Sequence, residues 1–386
     1  MKKFFLIAAA AVVAFASCSK NESPLVQDQN KAISFGTYTG RAVTKADPTF
    51  FIPKTQTWLQ KQAFGVYAYN TGATAFAGSV ASAKKFMVNE EVSFSGASAA
   101  DATDYKKYSY ENEKYWPNDE KNNLLTFWSY YPYDAENPMQ FGVANDFTVA
   151  TDPTEMVDLL LSNVKEDMTY TKATKVDNYG IVPFNFNHAL TMVTFYVKTD
   201  AVYSAATITL DTLIVKAVAD GAVTPEWGIP QGETTAKTTF SWNAGTELVE
   251  FPVYTKEANP ATGAVLSTDG AYFPVNDSIQ AAYLMIPQGI DDVVAEIQYT
   301  VTSTDQNVDP VVNKVKVNLK TSNVTEWAIN KNIKYTFTVG LRPIKFTAEV
   351  EDWDKLQYGD FVIPTVTNTN DPGTNTGDNP TTGAGN

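Results

Sequence analysis

The stretch "NKNIKYTFTVGLRPIKFTAEVEDWD", residues 330–354, decides how this chain is read. Ile333, Tyr335, Phe337, Val339 and Leu341 alternate with Lys334, Thr336, Thr338, Gly340 and Arg342. A period of two is that of a half-buried strand, because successive side chains leave a sheet on opposite faces. At Pro343 the phase flips, and Ile344, Phe346, Ala348 and Val350 continue on even numbers. Proline has no N–H to give to a ladder, so the strand is expected to bend or to change partners there.

The same alternation recurs upstream. Val293, Ala295, Ile297, Tyr299 and Val301 form a half-buried strand, and Val315, Val317 and Leu319 answer it across the polar loop Ser303–Pro310. That pattern predicts a hairpin. Further strands are expected over 64–69, 124–133, 190–198, 206–216, 247–254 and 281–286. Helical periodicity is scarce, and 20 Tyr and 22 Phe favour strands. Short strands with turns between them point to an all-β fold built of sandwiches and not to βαβ units. The 386 residues are enough for two domains of ordinary size. An aromatic, loop-rich half covers 31–185 and a more regular strand series covers 186–354. The segment 355–386 is a tail, low in complexity and without apolar anchors from residue 367, and is expected to be disordered.

The formal charge of −14 repels phosphate backbones and anionic lipid, which argues against nucleic acid as a partner. The N-terminus carries an address. Met1-Lys2-Lys3 is cationic, Phe4–Ala16 is an apolar run too short to span a bilayer, and small residues follow. This is the order of a secretory signal peptide, residues 1–17. It ends on Cys18, the sole cysteine, which has no partner for a disulfide. Phe15-Ala16-Ser17-Cys18 resembles the lipobox of bacterial lipoproteins, with Phe15 where Leu is usual. In that reading Cys18 carries the lipid, residues 18–30 are a tether, and the lipid anchor is the one attachment to the membrane.

Three stretches together carry a wider resemblance. They are "KYWPNDEKNNLLTFWSYYPY" (114–133), "FNFNHALTMVTFYVKT" (184–199) and the opening stretch 330–354. With the lipobox, they resemble the fimbrillin family, the subunits of type V fimbriae. The resemblance implies two transthyretin-like β-sandwich domains in tandem. It also implies export to the outer-membrane surface, removal of an N-terminal piece, and polymerisation by strand exchange with other fimbrial subunits, in support of adhesion to a host or bacterial surface ligand. Family pilins are cut after an Arg in the region of "ISFGTYTGRAV" (33–43), where Ile33 and Phe35 read as a first strand. Arg41, before Ala42, is the one Arg of this half, with Lys45 as a substitute. In stalk pilins of the family the donor strand comes from the C-terminus. The apolar candidate here is "LQYGDFVIPTV" (356–366), in which Leu356, Tyr358, Val362 and Val366 share one parity while Asp360 and Pro364 interrupt it.

Several residues invite other chemistry. His188 is the sole histidine and has the parity of Phe184, Phe186, Leu190 and Met192, so it reads as a structural residue on an inward face. With one histidine, sites built on several imidazoles are excluded, and no metal or other cofactor is expected. Asp305 and Asp309 lack the dense ligand register of a calcium loop. The aromatics Phe127, Trp128, Tyr130, Tyr131 and Tyr133 could stack on sugars, which gives the alternative function: a surface lipoprotein that binds glycans. Yet Leu125, Phe127, Tyr131 and Tyr133 fall on one face, with Leu124, Trp128 and Tyr130 on the other. A strand apolar on both faces is covered on both. No enzymatic activity is expected.

Overall fold

The computed structural model describes residues 32–39, 63–94, 108–153, 155–177, 181–230, 233–256, 264–273, 275–276, 279–280, 282–341 and 344–353. Strands dominate, and the one α-helix among the described residues is α1 (Tyr170–Asp177). The fold is all-β, as the alternation predicts.

The first half builds one eight-stranded sheet from β1 (Ser34–Thr39), β2 (Phe64–Gly72), β3 (Lys84–Phe94), β4 (Tyr108–Ser109) and β5 (Leu124–Tyr131). After β6 (Asn145–Thr148), which pairs elsewhere, the sheet is completed by β7 (Leu160–Ser162), β8 (Lys165–Met168) and β9 (Ile181–His188). The spatial order is β1-β9-β7-β5-β2-β3-β4, with β8 beside β5. Strand β5 shows why the sheet sits as it does. Leu125, Phe127 and Tyr131 enter one core, with Phe64, Val66, Phe184 and Trp116. Trp128 and Tyr130 enter a second and larger core on the opposite face.

The second half supplies β10 (Thr191–Thr199), β11 (Ala206–Val218), β12 (Asp220–Gly228), β13 (Lys237–Ala244), β14 (Leu248–Thr255), β15 (Ala264–Val265) and β16 (Ala271–Phe273). It continues through β17 (Val275–Asn276), β18 (Ile279–Gln280), β19 (Tyr283–Met285), β20 (Gln288–Gly289) and β21 (Val294–Ser303). It ends with β22 (Val311–Asn318), β23 (Glu326–Trp327), β24 (Lys331–Val339) and β25 (Lys345–Asp352). Two five-stranded sheets face each other: β16-β10-β24-β25 with β19 on β10, and β14-β11-β21-β22 with β15 on β11. Rings bridge them, since Tyr283 lies 6.0 Å from Phe195 and 6.2 Å from Phe251, centroid to centroid. Strands β12 and β13 form a hairpin that takes β6 as a third strand, so residues of the first half pair with the second. Thr238 Oγ1 accepts the N–H of Val164 at 2.7 Å, and the Trp242 indole N–H donates to Ala189 O at 2.7 Å. The larger core therefore runs through both halves without interruption.

The hairpin expected across 303–310 is present, with Val301 opposite Val311 and Val294 opposite Asn318. The stretch 330–354 departs from expectation. It is not one bent strand but two antiparallel ones, β24 and β25, with the reversal between Val339 and Lys345. Ile333 faces Val350, Tyr335 faces Ala348 and Phe337 faces Phe346. Directly opposed residues share a face of the sheet, so odd numbers on β24 match even numbers on β25. The phase flip is the register of that hairpin. Leu341, expected to point inward, lies in the reversal and is 59% exposed.

Candidate functional site

Strand β1 is the part of the fold that precedes the expected cut after Arg41. Ile33 and Phe35 alternate with Ser34 and Gly36, so the segment is a strand with one apolar edge. It runs parallel to β9, from Ser34 opposite Ile181 to Thr39 opposite Phe186. Its start is tied on the other side. Ala32 bridges to Tyr115, the Ile33 N–H donates to Lys114 O at 2.8 Å, and the Tyr110 hydroxyl donates to Ile33 O at 2.9 Å. Burial pushes the Tyr110 hydroxyl up to about 12. Phe35 is fully enclosed, with 0% exposure, among Phe184 at 5.6 Å, Tyr110 at 5.5 Å and Phe127 at 6.2 Å. The arrangement is a strand-shaped groove lined by rings, with the backbone of β9 along one wall, and β1 fills it.

A second constellation lies at the far end of β9. His188, its last residue, has Nδ1 2.7 Å from Asp158 Oδ2. Against a carboxylate that nitrogen carries the proton and donates it. The imidazole lies flat on the Trp353 indole, 3.7 Å between centroids and 6° between planes. All three residues are buried. Burial pushes the Asp158 carboxyl up, and His188 pulls it the other way. Tyr131 is raised too, by burial first and then by the Asp158 charge. His188 is thus buried on an inward face, as its parity predicts, with Asp158 as its partner.

The residues singled out for processing and assembly, Cys18, Arg41, Ala42, Lys45, Leu356, Tyr358, Val362 and Val366, lie outside the described residues. Arg41 follows the end of β1 by two residues, and Leu356 follows Trp353, the last described residue, by three. The β5 aromatics are no platform for sugars, since Trp128 and Tyr130 are each 1% exposed. Asp305 is engaged in its own turn, its carboxylate accepting the N–H of Asn307 at 2.9 Å. Asp158 was not visible as a site residue. Its signal was an acidic residue inside the apolar run Met156–Leu161, where a buried charge demands a partner.

A family model described as fimbrillin-like matches residues 41–353. The chain belongs to the fimbrillin-like family. Among solved structures, a fimbrial protein of Bacteroides vulgatus shares 16% identity with a TM-score of 0.48, covering 84% of this chain and 100% of that one. A candidate cell adhesion protein of Bacteroides uniformis shares 14% with a TM-score of 0.45, covering 85% and 100%. No curated protein matches the chain.

Proposed function

We propose that this fimbrillin-like chain is a structural or accessory subunit of a cell-surface fimbria. In this reading it is exported to the outer membrane as a lipoprotein on Cys18 and cut between Arg41 and Ala42. It then joins its neighbours when a strand of another subunit takes the place of β1. Its two halves, 31–185 and 186–354, act as sandwiches that share the larger core, with β9 crossing from one to the other, and without catalytic chemistry. Family membership makes the fimbria and the cell surface the starting point. The observation that carries the rest is the position of β1: it closes an aromatic core and lies immediately before Arg41. Its loss would leave the Ile181–Phe186 backbone unpaired beside an open apolar groove. Such an edge is a template for a strand from another chain, which supplies main-chain hydrogen bonds and side chains for the pockets. The donor in this reading is 356–366, through Leu356, Tyr358, Val362 and Val366.

The test is the N-terminal sequence of the assembled subunit, read for the natural chain and for Arg41→Ala with and without Lys45→Ala. A subunit beginning at Ala42 supports the reading, and one beginning upstream of Ile33 overturns it. Cys18→Ala should abolish labelling by a palmitate analogue, and undiminished labelling would remove the lipid anchor.

A further inference from the structure

Two of the stretches that stand out in the sequence, 184–199 and 330–354, meet at one buried contact, where His188 is held by Asp158 and lies on Trp353. We propose that His188, held by Asp158, is the positioning residue that sets Trp353 and so fixes where the C-terminal segment leaves the body of the subunit. This rests on the reading above, in which that segment donates a strand.

The chain of constraint is short. Asp158 is buried in an apolar run, and the bond from His188 Nδ1 engages its Oδ2, with Oδ1 left buried without a partner, while fixing the tautomer and plane of the imidazole. A fixed ring plane offers one flat face, and the Trp353 indole lies parallel upon it. The backbone N–H of Trp353 also donates to Asn330 O at 3.2 Å, at the start of β24. Residue 353 is therefore held at two points: its side chain on the end of β9 and its backbone beside β24. One anchor would leave the exit direction free; two define it.

The register of β1 gives this anchor its meaning. Thr39 lies opposite Phe186, and His188 follows two residues later on β9. At ~3.3 Å per residue, the anchor lies about 7 Å beyond the end of the groove that β1 fills. A strand accepted in place of β1 and a tail donated from Trp353 would both bear on β9. Tension passed along a polymer would then reach β9 from both sides, while the backbone of Trp353 carries it into β25 and β24 as well.

A positioning role predicts a split that a purely stabilising role does not. Wild-type and variant chains carrying different epitopes are co-expressed, and unheated gels show which chain donates to which. The Trp353→Ala chain should be secreted and should accept a wild-type tail normally. Its own donation should fall about tenfold, the scale of one lost ring pair, and Trp353→Phe should restore most of it. Normal donation by Trp353→Ala, or equal loss of donating and accepting, would overturn the proposal. If that variant is not secreted, Asp158→Asn takes its place, with the same split expected to a smaller degree and the same equal loss overturning it. A chain ending at Trp353 that still builds ladders of wild-type length would overturn the donor reading itself, and the positioning role with it.

Discussion

The two cores of this protein use the same apolar chemistry and are closed in different ways. The larger core has the hairpins β12–β13, β21–β22 and β24–β25 among its walls, and its parallel pair, β10 with β24, lies between strands held on both sides. Its last described strand, β25, is the antiparallel partner of its immediate neighbour β24. The smaller core is shut by β1, which pairs in parallel with a strand far along the chain and is joined covalently at one end of the molecule. Parallel neighbours cannot be linked by a tight turn, so such a strand depends on its side chains and ladder alone. In the proposed assembly one core stays shut and the other is opened, and this asymmetry is what that exchange of strands would need.

The largest expected effect breaks the openable side. Phe35→Ala should destabilise the smaller core by about 3–5 kcal/mol, the usual range for truncating an enclosed ring. Native-state hydrogen exchange should show faster amides in β9 and around Lys114, with β24 and β25 unchanged. Equal loss of protection in β24 would mean that the two cores unfold as one, and the comparison would fail.

Next comes the joint between the regions. Asp158→Ala leaves His188 buried without its acceptor, and removal of one member of a buried ionic pair typically costs about 3–5 kcal/mol. The cost here should lie at the low end, because the imidazole can remain neutral. Chemical denaturation should show it as a lower midpoint. A variant as stable as the natural chain would show that the pair contributes nothing net.

A smaller effect comes from Tyr110. In an unfolded chain a tyrosine ionises near 10, whereas burial holds Tyr110 up to about 12. Between those values the unfolded chain has lost a proton that the folded one keeps. The contribution is therefore complete below pH 10 and is lost as pH rises through 12. Tyr335 in the larger core is raised to about 12 as well, but the Tyr110 hydroxyl also holds Ile33 O. Alkaline exchange should loosen β1 first. Tyr110→Phe should cost about 1 kcal/mol at neutral pH, the net worth of a hydrogen bond, and should flatten the alkaline response of β1. An unchanged pH profile in that variant would sever the link between Tyr110 and the strand.

Much of this architecture is legible in the residues, and the gaps have physical reasons. Alternation at 293–301 and 331–339 names strands and their inner faces correctly, and the two-faced β5 announces that it divides two cores. Periodicity states which way a side chain points but not which strand lies beside it, so the parallel pairing of β1 with β9 is invisible in sequence. The phase change near Pro343 fits both a bend and a reversal, and only the pairing decides between them. Asp158 announces that a partner exists without naming it. His188 and Trp353 lie in two motifs far apart in sequence, and nothing in either predicts that one ring lies on the other.

The smallest expected effect is a control on the outer surface of the larger core. Lys216 on β11 lies 3.0 Å from Glu250 on β14 and 3.3 Å from Glu296 on β21, and Lys316 on β22 reaches Glu296 at 3.6 Å. The row crosses four strands with alternating charge, and its bonds to Glu250 and then Glu296 raise the Lys216 ammonium. It resembles a strap across the sheet. Yet these groups face water, where side-chain entropy and screening cancel most of the attraction. Lys216→Met should therefore leave the thermal midpoint close to that of the natural chain, with any difference shrinking as salt is added. A large loss that persists at high salt, with faster exchange in β11 and β21, would show that the larger core needs its surface charges to stay closed. It would then be less permanent than its wiring implies, and the contrast with the smaller core would narrow to one of degree.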